Sequence, residues 1–172
     1  MDKIGIIAFA FGQQTTQTAG PSNEAIGQVA LDIQQYHARS GAQVALITQW
    51  EIAPYITSQG RRVDYTVSTY GDKGTHYITT KDVLSIALAY LKHYKVNQII
   101  FVAHPFHLRI INLFVKLKIW RLDGFTLLAT HRRQVKRIPY DTSEGNVQWW
   151  TRNGRSFLLY LFKILLTRQH GK

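Results

Sequence analysis

The chain has 172 residues, 45% of them hydrophobic, with 21 Lys and Arg against 10 Asp and Glu, a formal net charge of +11 and no cysteine. That length and apolar content suit one globular domain, 1–172, with a sizeable core, and exclude wholesale disorder. The lack of cysteine excludes disulfides, thiolate nucleophiles and cysteine-bound metals, while the charge favours anionic partners without choosing among phosphates, nucleic acid and an anionic membrane surface.

The opening MDKIGIIAFAFGQQ does not read as a secretory leader, because Asp2 is acidic and the apolar run ends quickly. Within it KIGIIAFA, Lys3–Ala10, reads as a buried strand: short, isoleucine-rich and apolar on both faces. The loop FGQQTTQTAGPS follows, where phosphate loops occur, but it carries neither GxGxxG nor GKS/GKT. Its Gln and Thr side chains, Gln13 among them, are candidates to hydrogen-bond a sugar or base; a plain polar loop accounts for them equally well. SNEAIGQVALDIQQYHARSG reads as a helix capped by Ser22, with Glu24 in its first turn and Gly41 at its end. Ala25, Ile26, Val29, Ala30, Ile33 and Tyr36 fall on one helical face.

QVALIT, Gln43–Thr48, is a second buried strand, with Thr48 at its carboxyl end as a ligand-binding candidate. The stretch from Gln49 to Tyr77 is mixed and rich in turn residues. It reads as an excursion over the strand ends, with a short strand at VDYTVST. Glu51 within it, and Asp82 after it, are candidate acid or base partners. TTKDVLSIALAYLKHYK reads as a helix opened by a capping-box-like pair, Thr79 and Asp82. QIIFVA, Gln98–Ala103, is a third buried strand, FHLRIINLFVKLK a helix directly after it, and FTLLAT, Phe125–Thr130, a further strand. The basic loop HRRQVKRIPYDTSEGN then leads to a C-terminal helix.

Strands alternating with helices imply right-handed βαβ units. The expected fold is α/β, a three-layer Rossmann-like sandwich with a mostly parallel sheet. Ligands of such sheets sit beyond the carboxyl ends of the strands. That gathers Phe11–Pro21, Thr48–Pro54, His104–Arg109 and His131–Arg137 around one crevice.

The most informative stretch is VAHPFHLRI, Val102–Ile110. A buried strand ends, and two histidines and an arginine follow at a helix start that Pro105 tolerates. A helix N-terminus with Arg109 makes an anion seat, and a neutral histidine serves as acid, base or donor. His107 is the catalytic candidate, and His104 and Arg109 are ligand-binding candidates. A helix-capping histidine and a surface arginine are the plain alternative. HxxH alone is not a zinc pattern, so no metal is assigned, and no cofactor. Without GxSxG, Ser-His-Asp chemistry has no support. HRRQVKR reads as a solvated face, so nucleic acid is not the expected partner, and Trp149–Trp150 reads as a packing anchor. The C-terminal helix SFLLYLFKILLT, Ser156–Thr167, is too short to span a bilayer at about 1.5 Å per residue. It is expected to close the domain and touch a second copy as a homodimer. Its basic flanks leave a peripheral membrane contact as the alternative, so the expected location is cytoplasmic, with or without membrane association.

This pattern resembles the YdcF/SanA/ElyC-like domain family, α/β proteins often tied to the bacterial cell envelope. Phe106, His107 and Arg109 match the family's Phe-His-spacer-Arg element. Thr79 and Thr80 match its Thr-bearing helix start, and QWWTRN matches its polar C-terminal stretch. Where members carry glycine-rich turns after the first two strands, this chain has AFAFGQQ and ITQWE. The resemblance implies an anionic, nucleotide-like or phosphorylated small molecule at the strand ends, with Thr79 and Thr80 added to the ligand-binding candidates, and a place in envelope metabolism. A non-enzymatic accessory module at a membrane or protein partner is the other expectation.

Overall fold

The computed structural model describes residues 2–11, 19–68, 79–129 and 131–139, the side chain of Arg132 excepted. In chain order they form β1 (Lys3–Ala8), α1 (Pro21–Arg39), β2 (Gln43–Gln49), α2 (Ala53–Ser58), β3 (Tyr65–Val67), α3 (Thr80–His93), β4 (Gln98–Val102), α4 (Pro105–Lys116), β5 (Thr126–Leu127) and α5 (Arg132–Val135). The strands make one sheet in the order β3-β2-β1-β4-β5, and every pairing is parallel. This is the expected α/β Rossmann-like sandwich.

The three central strands are apolar on both faces. Ile4, Ile6, Ile7, Leu46, Ile47, Ile99, Ile100 and Phe101 are all buried. Such strands need helices above and below. Right-handed crossovers carry the chain from β1 to β3 in one direction and from β3 to β5 in the other. They therefore put α1 and α2 on one face and α3 and α4 on the opposite one. Gly5 lets α3 approach β1 closely: a Cβ there would lie 2.5 Å from Leu91 Cδ1.

Helices α1, α3 and α4 end in the same way. The N–H of the second residue past the cap returns to the carbonyl of the last full turn: Ala42 to His37, Val96 to Leu91 and Ile119 to Phe114. The residue between takes a positive φ, which is +82° at Gly41, 56° at Lys95 and 55° at Lys118. Only the first of these is a glycine.

Several expectations change. Pro21 occupies the first turn of α1 and Gly20 precedes it as the N-cap, so Ser22 is not the cap. Ser22 is buried inside the helix instead, and its hydroxyl donates to the Pro139 carbonyl at 2.9 Å. Tyr36 is 60% exposed, because the last turns of α1 run past the apolar part of the sheet. The stretch after β2 is an ordinary crossover as far as it is described. Its helix α2 packs on α1, where a Cβ at Gly27 would lie 2.7 Å from Tyr55 Cδ1. β5 is only two residues long and pairs with Gln98 and Ile99, at the start of β4. The chain thus leaves the sheet early, and His131–Arg137 does not begin at the crevice. It starts beside His37 at the far end of α1 and reaches the near end only at Pro139. Gln13, QWWTRN with Trp149–Trp150, and the helix expected over 156–167 lie outside the described residues. Among the described residues no helix is long and apolar enough to cross a membrane.

The helix ends give a paired expectation. A left-handed position costs an L-residue about 1–2 kcal/mol relative to glycine. Lys95→Gly should therefore raise the unfolding free energy, and Gly41→Ala should lower it, each by about 1 kcal/mol in urea denaturation.

Candidate functional site

The crossovers reverse direction between β1 and β4. The connections leaving these two strands therefore diverge, which makes the region beyond their carboxyl ends the place where such a sheet would take a ligand. Phe9–Phe11 extend β1 into this region, and Ala103–His104 extend β4. Phe9 N–H still pairs with the Val102 carbonyl at 2.8 Å. Beyond it, side chains take over from the sheet. Ala10 N–H donates to Gln49 Oε1 at 2.8 Å, and Phe11 N–H donates to Asn23 Oδ1 at 2.8 Å. Gln49 and Asn23 are buried. They fix the backbone after β1, a role that sequence reading missed; the available signal is an amide side chain at a strand end and in a helix's first turn.

His107 lies in the first turn of α4 and is buried. Its Nε2 is 2.8 Å from Thr80 Oγ1 at the start of α3, and its ring meets Phe9 edge-on. Burial first, and nearby His104 second, lower its pKa, a hydrogen bond to the Ala10 backbone opposes both, and the net value is about 4. The ring is therefore neutral at pH 7. The Ala10 carbonyl can only accept, so one ring nitrogen must carry a proton. With Nε2 facing a hydroxyl, the arrangement assigns Nδ1–H to Ala10 and leaves Nε2 to accept from Thr80. Such a ring is a base, held in one tautomer and touching a hydroxyl.

The neighbouring Thr79 is engaged differently. Its hydroxyl accepts from Asp82 N–H at 3.2 Å, and its own N–H donates to Asp82 Oδ2 at 3.1 Å, so both halves of the capping box form. Its hydroxyl also donates to Asp82 Oδ2 at 2.6 Å. Thr79 and Asp82 thereby fix the turn that presents Thr80.

His104 is the N-cap of α4, where its Nδ1 accepts from Phe106 N–H at 3.4 Å. Its ring stacks on Phe11 with centroids 4.0 Å apart and an interplanar angle of 17°, and on Phe106 at 5.6 Å and 23°. The Arg109 guanidinium lies over the Phe106 ring, 5.6 Å from its centroid. Burial lowers the His104 pKa to about 4. The histidine thus occupies the helix end that sequence reading offered to an anion. Arg109 is exposed and has no carboxylate partner among the described residues, whose ion pair is Arg121–Asp123.

The structure separates His107 from Arg109. Residues two apart on a helix point to different sides, whereas Phe106 and Arg109, three apart, share one. The result is an inner pair, His107 with Thr80, and an outer column, Phe11, His104, Phe106 and Arg109. Thr48 belongs to neither. It pairs in register with Ala8, one residue out of phase with Gly5 and Ile7. Since Gly5 faces α3, strand alternation turns Thr48 towards α1 and α2. It is fully buried there, and its Oγ1 has no hydrogen-bond partner among the described residues. Glu51 Oε2 is likewise buried and unpartnered among them, and burial raises the Glu51 pKa to about 7.

These shifts carry opposite signs. His104 and His107 fold with pKa values near 4, below the usual 6.5, so the unfolded chain binds more protons between those values. Their contribution is full above pH 6.5 and is lost as pH falls towards 4. His107→Gln should flatten this decline by about one proton, or about 1.4 kcal/mol per pH unit, in urea midpoints taken across that range. Glu51 folds with a raised pKa, so its contribution is full below pH 4.5 and is lost as pH rises through 7. Glu51→Gln should leave stability near pH 4.5 little changed and raise it at about pH 8. Comparison with family models, curated proteins and solved structures gives no match to this chain.

Proposed function

We propose that the protein binds a nucleotide-like or phosphorylated small molecule beyond the carboxyl ends of β1 and β4. One observation carries the reading: the outer column and the inner pair both stand where the crossovers of a parallel sheet reverse, which is where such sheets take their ligands. The chemistry there suits that class. Phe106, 36% exposed, offers the apolar rim of its ring to the non-phosphate part of such a ligand. Arg109 offers paired donors to a phosphate. The two histidines are neutral, so anion recognition falls to Arg109, and His107 acts as a hydrogen-bonding group or base.

The match of Phe106, His107 and Arg109 to the YdcF/SanA/ElyC-like element supports the same reading and extends it to bacterial envelope metabolism. In that extension His107 is the catalytic base, and Thr80 orients it or the ligand. Thermal-shift measurements with nucleotides, nucleotide sugars and S-adenosyl compounds should reveal stabilisation by at least one phosphate-bearing ligand. Arg109→Ala should then weaken that ligand by about 1.5–3 kcal/mol in calorimetry. Absence of any shift, or unchanged affinity in a folded Arg109→Ala variant, contradicts the proposal. Sedimentation with anionic liposomes in place of any ligand shift favours an accessory module at a membrane.

A further inference from the structure

His37 and His131 are 94 residues apart in sequence, yet their Nε2 atoms lie 3.4 Å from each other. The rings are nearly perpendicular, at 87°, with centroids 5.5 Å apart. Tyr36 packs edge-on against both, at 5.1 and 5.4 Å between centroids, and limits their rotation. Each histidine is half-buried, and neither belongs to the crevice.

We propose that His37 and His131 form a two-histidine site for a borderline divalent transition-metal ion of the zinc, nickel or copper class. The separation is the first argument. Two Zn–N bonds of about 2.0–2.1 Å at a tetrahedral angle hold their nitrogens about 3.3–3.4 Å apart. At the same distance the two rings can also share one long hydrogen bond, so the metal and a proton compete for the pair. The donor type is the second, since imidazole nitrogen suits these metals better than calcium or magnesium. The place is the third. His37 is in the last turn of α1, a helix of 19 residues, and the negative end of the helix dipole favours a cation.

A metal ligand must be deprotonated. The exposed Arg39 and Arg133 oppose a cation, but they do so through solvent, where charges are screened. No cluster of three or more His, Cys, Asp or Glu ligands occurs among the described residues, which supply two ligands here. The ion would tie the start of the α5 segment to α1. At its other end that segment is already tied, through Ser22 and Pro139.

Tag-free full-length protein, stripped with a chelator and exchanged into buffer, should bind one Ni²⁺ or Zn²⁺ per chain in calorimetry near neutral pH, with a raised thermal midpoint. His37→Ala and His131→Gln should each weaken binding about tenfold or more, since loss of even an outer-sphere group costs that much. His93→Ala, on the exposed side of α3, should bind as wild type does. His131→Gln retains a polar side chain and carries the test should the alanine variant not fold. No binding by the wild type overturns the proposal. So does wild-type affinity in either folded site variant, or an equal loss in His93→Ala.

Discussion

Strands β1, β2 and β4 are apolar on both faces, and no face of such a strand can be left to water. Two helical layers are the consequence, and right-handed crossovers then allow few routes for the chain. The route taken starts in the middle of the sheet, moves out to one edge, returns, and continues to the other. The reversal puts the sheet's switch point at the carboxyl ends of β1 and β4. Everything polar that the chain brings there must be satisfied locally, because the ladder has ended. Gln49, Asn23, Thr80 and His107 meet that requirement through long-range hydrogen bonds rather than through water-exposed turns.

The same constraint shapes the electrostatics. A net charge of +11 suggests a strongly cationic site, but the two histidines at the crevice are held neutral by burial. Among the described residues the exposed Arg109 supplies positive charge there, and it rests on an aromatic column rather than on a carboxylate. Thr48 Oγ1, on the α1 and α2 side of the sheet, and Glu51 Oε2, in the turn after β2, are buried oxygens without partners among the described residues. A buried unsatisfied group costs about 1–3 kcal/mol. Bonded and unbonded polar atoms thus occur on the same side of the sheet near the strand ends: Asn23 of α1 is hydrogen-bonded, while Thr48 Oγ1 has no partner among the described residues.

The strands were legible in sequence because a run that is apolar on both faces has little other use in a chain of this size. The capping box at Thr79 and Asp82 was legible because its two residues sit at a fixed local spacing. The helix α2 was hidden: six residues with a proline, a threonine and a serine resemble a turn. The shift of the α1 cap from Ser22 to Gly20 followed from Pro21, whose fixed φ suits the first helical turn. The candidate site was legible in position and less so in geometry. His104, His107 and Arg109 were found at a strand end, while helical periodicity, applied two residues further, separates His107 from Arg109. The pairings of His107 with Thr80 and of His37 with His131 depend on tertiary approach across 27 and 94 residues, which no local pattern encodes.

The central claim is that the crevice holds a neutral imidazole, protonated at Nδ1 by its bond to Ala10 and accepting at Nε2 from Thr80. Nitrogen-15 NMR of the histidine rings, followed across pH and assigned with a His107 variant, reads both the tautomer and the protonation directly. The expected result is an Nδ1–H tautomer for His107 that persists until the pH approaches about 4. A ring that protonates near the usual 6.5, or that carries its proton on Nε2 at neutral pH, would contradict it.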